Sequence, residues 1–182
     1  MIGGDPDSMI ILEDTRQQIN KHDLKHKWFE ENGVTIKRCR LYAGDYTLPT
    51  NQSICIDTKK DLQELCGNVT QQHERFKREL IRAMEAGIQI VFLVEHGPDV
   101  KTLEDVYFWQ NPRKHEIRWR YNKVTGQKEK YFISPKAIDG KQLYKSLCTI
   151  RDRYGANFCF CSKEETGQKI VEILNNGKAT GI

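Results

Sequence analysis

The sequence has 182 residues, of which 38% are hydrophobic and 30% are charged, with a formal net charge of +4 at pH 7. This composition argues against a disordered, fibrous or membrane-spanning chain, and the length suits one domain with a full core. The mild positive charge permits a polyanionic partner without requiring one.

Six cysteines are scattered along the chain, with no CxxC pair and no histidine cluster of zinc spacing. They are predicted to be free thiols, most of them buried, which indicates a reduced, intracellular location in cytoplasm or nucleus. Residues 1–8 are interpreted as a remnant of expression rather than native sequence. Residues 9–177 are predicted to form a single domain with an insertion at about 97–140.

The first part of the chain predicts a strand followed by a helix. An apolar run over residues 9–12 predicts a buried strand that ends at Asp14. A helix is predicted to begin at Asn20, with Asp23 as a capping partner, and to end at Gly33. Its apolar face is predicted to contain Leu24, Trp28 and Phe29, and its solvated face His22, Lys25, His26 and Lys27.

Four more strands and two helices are predicted before the insertion. Residues 34–41 alternate apolar and basic residues as a half-buried strand does, and two short strands follow within residues 42–60. Residues 88–94 are almost all apolar, which predicts a central strand covered on both faces. The helices are a short one over 61–66, stopped by Gly67, and a longer one over 71–86 with Phe76, Leu80 and Met84 on one face at i, i+4 spacing.

The insertion and the chain after it complete the predicted topology. Thr125 and Gly126 predict a hairpin turn between strands over 117–124 and 128–133. The later elements are a helix from Gly140 with Leu143, Leu147 and Ile150 on one face, a strand over 157–161, and a last helix with a Ser162–Glu165 capping box. This order predicts an α/β fold with a mixed central sheet flanked by helices.

Charged residues cluster around the two short strands of residues 42–60. Asp45 precedes the first strand, and Asp57 and Lys59 end the second. Because side chains alternate along a strand, Asp57 and Lys59 project to one side while Thr58 points away. Two carboxylates and an ammonium are suited to a Mg²⁺ or Mn²⁺ site for phosphodiester hydrolysis, and Asp14 is predicted to join them. The alternative of ordinary solvated strand-end charges stays open.

Basic and aromatic residues elsewhere are candidates for contact with nucleic acid. Arg16 is predicted either to be a charge at the entry to the helix or to hold a phosphate or a site carboxylate. The helix that contains Arg75 presents a basic face either to a phosphate backbone or to solvent. In the insertion, arginines fit phosphates and aromatics stack on unpaired bases, unless the aromatics form a small core of their own. The candidates there are Trp109, Arg113, Lys114, Arg118, Trp119, Arg120 and Tyr121.

Three motifs together resemble the nuclease domain of the XPF/Hef excision-repair endonucleases: Ile10-Ile-Leu-Glu-Asp-Thr-Arg, Gly44-Asp-Tyr and Ile56-Asp-Thr-Lys-Lys-Asp-Leu. The resemblance covers most of residues 9–176 outside the insertion. It implies the restriction-endonuclease-like fold of the PD-(D/E)XK superfamily and cleavage of branched, flapped or otherwise non-duplex DNA. It also implies metal ligation by Asp45 and Asp57, catalytic support from Lys59 and a site role for Asp14.

The chain departs from the family pattern at three positions. Asp57 replaces a Glu, Thr58 replaces an Arg, and Gln17 replaces the Glu that follows Arg16. The paired helix-hairpin-helix module of those enzymes does not occur in this sequence, so DNA binding is expected to involve the insertion, a homodimer or a separate DNA-binding partner. The prediction is a Mg²⁺- or Mn²⁺-dependent DNA endonuclease, and the alternative is a non-catalytic DNA-binding or scaffold module of the same fold.

Overall fold

The structure, a computed structural model, describes residues 9–17 and 23–177. The predicted remnant at residues 1–8 and the predicted helix start at Asn20 lie outside those residues. No helix in the described ranges is long and apolar enough to cross a membrane. The elements in chain order are β1 (Ile10–Asp14), α1 (Asp23–Glu31), β2 (Thr35–Cys39), β3 (Tyr46–Thr47), β4 (Ile54–Lys59), α2 (Leu62–Val69), α3 (His73–Glu85), β5 (Gln89–Glu95), β6 (Ile117–Asn122), β7 (Gln127–Phe132), α4 (Gly140–Tyr154), β8 (Asn157–Cys161) and α5 (Thr166–Asn176).

A six-stranded mixed sheet in the order β2-β1-β3-β4-β5-β8 forms the centre of the fold. Strand β3 pairs antiparallel with both β1 and β4, whereas β2 runs parallel to β1, and β5 and β8 run parallel to β4. One face of the sheet packs against α2, α3 and α4, and the other against α1 and α5. The predicted α/β fold with a helix-flanked mixed sheet is therefore confirmed.

Helix α1 packs through only part of the predicted face, because Trp28 and Phe29 contact the core whereas Leu24 does not. Phe29 is buried, with its ring centroid 6.2 Å from that of Tyr46, but Leu24 is 48% exposed. Lys25, predicted to be solvated, is buried instead, with its Nζ 3.4 Å from Glu95 Oε1 and 5.4 Å from the centroid of the Tyr46 ring. The predictions for Leu24 and Lys25 are wrong because an ion pair from a distant strand permits the lysine to turn inward.

Helix α2 runs past the glycine that was predicted to stop it. It continues through Gly67 to Val69, and a Cβ at Gly67 would meet no atom within 4 Å, so no packing constraint breaks the helix there. The helix ends where the amide and the hydroxyl of Thr70 both donate to the carbonyl of Cys66. The glycine therefore does not terminate α2.

Two further helix details differ from the predictions. In α3, Ala83 joins the buried face and Met84 is 46% exposed, because a helical face that contains Phe76 advances by three or four residues. Helix α5 begins only at Thr166, after the predicted capping box. The Glu165 carboxylate accepts a hydrogen bond from the Ser162 amide at 2.8 Å, which is one half of that box.

The insertion carries a hairpin that forms its own small sheet, as predicted. Strands β6 and β7 pair with each other, and the turn uses Gly126 at φ +68°. The side chains of Trp119, Tyr121 and Phe132 are 60%, 64% and 51% exposed. The alternative in which the hairpin aromatics form a core of their own is therefore wrong.

All six cysteines are free thiols, four buried and two half-buried, as predicted from their spacing. Burial raises the pKa of the Cys66 thiol to about 12 and that of Cys161 to about 11. Thiols in this state are poor nucleophiles and pack as small apolar side chains.

Candidate active site

The pairing of β1, β3 and β4 brings three chain segments together where β1 and β4 end and β3 begins. We call this end of the strands the sheet edge. The amide of Asp45 donates to the Ile56 carbonyl at 2.7 Å, and its carbonyl accepts from the Asp14 amide at 2.8 Å. Gly44 turns the chain into β3 at φ +67°, and a Cβ there would lie 2.9 Å from both Cys55 Sγ and the Ile56 carbonyl oxygen. Only glycine fits this turn, which places Asp45 beside the end of β4.

Asp57 and Lys59 project from the same face of β4, as the alternation predicts, and form a buried ion pair. Lys59 Nζ lies 2.6 Å from Asp57 Oδ1 and 5.6 Å from the centroid of the Phe92 ring. Burial raises the pKa of Asp57 to about 7, with the Lys59 ammonium opposing the rise and the charge of Asp45 adding to it. Burial opposes charge on Lys59 too, but Asp57 and Asp45 outweigh it and raise the pKa of the ammonium.

Thr58 holds the carboxylate of Asp45. Its amide and its hydroxyl donate to the same oxygen, Asp45 Oδ2, at 2.8 and 2.7 Å. None of the described residues donates a hydrogen bond to the other oxygen, Oδ1. Thr58 occupies the position of the family's Arg, so this departure from the motif fixes one site carboxylate by short hydrogen bonds.

Asp14 accepts its hydrogen bonds mainly from Arg16 and is not grouped with the carboxylates of Asp45 and Asp57. The Nε and Nη2 atoms of Arg16 lie 2.8 and 2.7 Å from its two oxygens, and the amides of Arg16 and Leu41 also donate to them. Burial alone would raise the pKa of Asp14, but the hydrogen bonds from Arg16 and Leu41 outweigh burial and lower the pKa. Across the described residues, no three Asp, Glu, His or Cys side chains are grouped to hold a metal ion, so the predicted ligand set of Asp14, Asp45 and Asp57 is not assembled. Arg16 binds a site carboxylate, which is one of the roles predicted for it.

Sequence reasoning missed Glu79 on α3. This half-buried residue lines a groove together with four arginines, Arg16, Arg75, Arg78 and Arg82. Its negative charge adds to burial and to Asp45 in raising the pKa of Asp57, so it acts on the site electrostatically. Helical spacing was the available signal, because residues three and four positions apart share a face.

A second groove at the end of β4, which we call the lysine groove, is lined by four lysines and two glutamates. Lys59, Lys60 and Lys163 line it together with Gln17, Thr58 and Glu64, and the Lys25–Glu95 pair forms part of its wall. Nothing in the sequence indicated Lys25, because its Glu95 partner is 70 residues away along the chain. The groove presents positive charge next to Lys59, as a phosphate site would require.

A buried carboxylate beside Asp14 ties the site to its surroundings. Glu13 accepts a hydrogen bond from the Tyr46 hydroxyl at 2.8 Å, and its oxygens lie 2.7 Å from His26 Nε2 and 3.2 Å from Arg38 Nε. His26, which was predicted on the solvated face of its helix, is half-buried and contacts Glu13. This network joins β1, β2, β3 and α1 and thereby fixes the strand ends that carry Asp14 and Asp45.

The ERCC4 domain family model matches residues 13–173. The chain belongs to this family. Among solved structures it is similar to XPF from Aeropyrum pernix, with a TM-score of 0.56 and 16% identity over 92% of this chain and 61% of that chain. It is also similar to XPF from Aeropyrum pernix in complex with DNA, with a TM-score of 0.58 and 15% identity over 93% of this chain and 64% of that chain.

The resemblance to XPF/Hef-type domains that the motifs suggested is thus confirmed, and the likeness of structure confirms the fold. The ERCC4 domain described here spans about three fifths of the length of the XPF chains it matches. No curated protein matches the sequence.

The residues predicted to contact substrate fall into two groups in this ERCC4 domain. Arg16 and Arg75 line the groove that contains Glu79. Arg113 lies in a short 3-10 helix of the insertion, and Arg118, Trp119 and Arg120 lie on β6 in the separate hairpin. The first group belongs to the site at the sheet edge, whereas the second belongs to the insertion, with Arg113 outside the hairpin.

The chemistry of Asp45 and Asp57 fits a divalent cation. Mg²⁺ is usually held in proteins by one or two carboxylates, with waters and substrate phosphate oxygens completing its coordination, so a third acidic side chain is not required. Burial raises the pKa of Asp57, and the charge of Asp45 adds to the rise. A bound cation would offset both effects by stabilising the carboxylate form and would displace the proton.

Proposed function

We propose that this ERCC4 domain is a Mg²⁺- or Mn²⁺-dependent DNA endonuclease that cuts branched, flapped or otherwise non-duplex DNA during repair, recombination or replication. The observation that carries the proposal is the buried Asp57–Lys59 pair beside Asp45, with the pKa of Asp57 raised to about 7. Strongly perturbed carboxyl groups in a cleft are typical of functional sites. The similar XPF structure in complex with DNA supports DNA as the substrate.

Asp45 and Asp57 are the residues that would hold the cation. A bound Mg²⁺ or Mn²⁺ would supply charge to the scissile phosphate and lower the pKa of an attacking water. Asp14 already accepts hydrogen bonds from four N–H groups. We therefore assign it a positioning role, in which it orients Arg16 at the edge of the arginine groove.

Lys59 is assigned the stabilisation of charge in the transition state. Its pKa is raised, so the ammonium stays protonated at neutral pH. From the end of β4 it is placed to donate to a phosphate oxygen as negative charge develops there, in a setting with little water. The lysine groove beside it and the arginine groove that contains Arg16 and Arg75 would hold flanking phosphates.

Cleavage of a DNA panel in Mn²⁺ tests this function. Labelled flap, fork, Holliday, single-stranded and duplex DNAs are incubated with the wild type, Asp45→Ala and Lys59→Ala. The wild type is expected to cut at least one branched DNA, and both variants are expected to lose cleavage while keeping their circular dichroism and DNA binding. Lys145→Ala, at an exposed position on α4, is the matched control and should cut at the wild-type rate. Cleavage retained in either site variant refutes the assignment.

A second candidate function is a non-catalytic DNA-binding or scaffold module. Thr58 favours it, because this residue replaces the family's Arg and engages Asp45 Oδ2 with two hydrogen bonds. Such a module would cut none of the DNAs in Mn²⁺, and Asp45→Ala would bind each of them as the wild type does. The same panel therefore separates the two functions.

A further inference from the structure

The β6–β7 hairpin has two faces of different character. Side chains alternate along each strand, and residues directly opposite each other share a face. We call one set the aromatic face: Ile117, Trp119 and Tyr121 on β6 with Phe132, Lys130 and Lys128 opposite them. The other set is the polar face: Arg118, Arg120 and Asn122 with Tyr131, Glu129 and Gln127 opposite them.

The polar face satisfies most of its own charge. Arg120 Nε lies 2.6 Å from Glu129 Oε1, and Asn122 donates to the other oxygen of Glu129 at 3.2 Å. The Arg120 guanidinium also lies 5.2 Å from the centroid of the Tyr131 ring. Arg118 is 3.7 Å from Glu116 at the base of the hairpin. Little charge on this face is left for a partner.

The aromatic face is apolar, positively charged and open to solvent. Trp119, Tyr121, Phe132 and Ile117 are 60%, 64%, 51% and 47% exposed. Clustered exposure of large apolar side chains marks a binding surface. The only charged residues of the face are Lys128 and Lys130, and Lys130 Nζ lies 5.1 Å from the centroid of the Trp119 ring. A complementary partner is therefore an anion that also carries flat apolar groups.

We propose that the aromatic face binds unpaired bases of the DNA substrate, with Trp119 and Tyr121 stacking on bases and Lys128 and Lys130 contacting phosphates. This inference rests on the proposed function, because it takes DNA as the substrate. Exposed aromatic side chains that alternate with cations are the elements with which proteins bind single strands. Protein partners lack the regular alternation of flat ring and anion that this face matches.

Strand geometry limits the bases to unpaired ones. Residues two positions apart on a strand are separated by about 6.8 Å, whereas stacked bases in a duplex are about 3.4 Å apart. Trp119 and Tyr121 can therefore stack on neighbouring bases only when those bases are drawn apart. In intact duplex DNA each base is covered by its neighbours, so only a single-stranded arm or an opened junction offers its base faces.

This arrangement favours substrates that combine a duplex with a single-stranded arm. The duplex would lie against the arginine and lysine grooves at the sheet edge, and the arm would lie on the hairpin. The hairpin would then select the DNA structure, while Asp45, Asp57 and Lys59 would cut it. The hairpin would thus be the surface that holds the unpaired part of the proposed substrate.

Binding of short labelled DNAs tests the inference. Fluorescence anisotropy is measured in EDTA with the full chain, using an oligothymidine and a blunt duplex of equal length. Trp119→Ala/Tyr121→Ala is expected to weaken oligothymidine binding about tenfold or more for each lost stacking contact and to leave duplex binding unchanged. Arg118→Ala/Arg120→Ala, on the polar face of the same strand, is the matched control and should weaken oligothymidine binding far less.

The lysines of the aromatic face provide a separate readout. Lys128→Ala/Lys130→Ala is expected to reduce the slope of log affinity against log salt for oligothymidine by about 1.4, since each phosphate contact on a single strand contributes about 0.7. An unchanged slope would contradict the assignment of these lysines to phosphates.

Three outcomes overturn the inference. The first is unchanged oligothymidine binding by Trp119→Ala/Tyr121→Ala, which would make a protein the better occupant. The second is an equal loss of oligothymidine binding in Trp119→Ala/Tyr121→Ala and in Arg118→Ala/Arg120→Ala. The third is a loss of duplex binding by Trp119→Ala/Tyr121→Ala as large as its loss of oligothymidine binding. Circular dichroism reports correct folding of each variant. If the chain cuts no DNA but shows the expected affinities, the proposed function fails and the hairpin inference stands. If cleavage is intact and the affinities do not change, the reverse holds.

Discussion

Replacing Asp57 with asparagine should stabilise the metal-free protein at neutral and alkaline pH. Asparagine keeps the size of the side chain and removes the negative charge that burial and Asp45 disfavour. It resembles the protonated carboxyl, which is the form that the folded protein favours below its pKa. The variant therefore removes an unfavourable ionisation while leaving Lys59 in the setting that it has when Asp57 is protonated.

The magnitude follows from the shift in pKa. The pKa of Asp57 rises from its ordinary value of 3.8 to about 7. A rise of about three units at about 1.4 kcal/mol each gives about 4 kcal/mol. Between pH 4 and 7 the folded state binds the proton of Asp57 more tightly than the unfolded state, so the contribution of this group to stability is greatest below pH 4 and is lost as the pH rises to 7. The Asp57→Asn variant has no such loss, because its amide does not ionise.

Urea unfolding from pH 4 to 8.5 without divalent cations measures this effect. The free energy of unfolding of Asp57→Asn minus that of the wild type should grow from near zero to about 4 kcal/mol and level off above pH 7. Asp152→Asn, an exposed carboxylate on α4, is the matched control and should give a flat, small difference. A flat difference curve for Asp57→Asn, or lower stability of the variant at pH 8, would refute the reasoning.

Three further changes test the surroundings of the site. Gly44→Ala should lower the free energy of unfolding by more than about 2 kcal/mol, because positive φ and a 2.9 Å contact both oppose a Cβ. The control is Gly87→Ala, with φ +68° and no atom within 4 Å, which should lower the free energy of unfolding by only about 1 kcal/mol. Lys59→Met removes the cation beside Asp57 and should raise the pKa of Asp57 further. Because the cation binds the ionised carboxylate, calorimetry should show weaker Mn²⁺ binding at pH 7 that recovers by pH 9. Equal weakening at pH 7 and pH 9 would contradict this. Lys25→Met leaves a carboxylate buried without its partner and should lower the free energy of unfolding at pH 8 by about 3 kcal/mol in urea, and an unchanged value would contradict the burial argument.

Features that depend on local alternation were predictable from the sequence. The side chains of Asp57 and Lys59 share a face because strand residues two apart always do, and the structure confirms their contact. The hairpin around Gly126 follows from turn chemistry in the same way. The apolar run at residues 88–94 could become a covered strand only at the centre of the sheet, where β5 lies.

Contacts between distant segments were not predictable. The hydrogen bonds from Thr58 to Asp45 depend on the register between β3 and β4, which sequence spacing does not set. Lys25 resembles a solvated helix charge until its Glu95 partner on another strand is known. The position of Glu79 beside the carboxylates depends on how α3 is rotated against the sheet, and the exposed Met84 shows that the predicted rotation was off by about one residue.

Titration of the protein with Mn²⁺ by isothermal calorimetry at pH 8 tests most directly whether Asp45 and Asp57 form the metal site of the proposed nuclease. The wild type is predicted to bind one ion per chain with micromolar to millimolar affinity. Asp57→Asn is predicted to bind none, although it should be the more stable protein, so misfolding would not explain the loss. Equal Mn²⁺ binding by the two proteins would contradict the account.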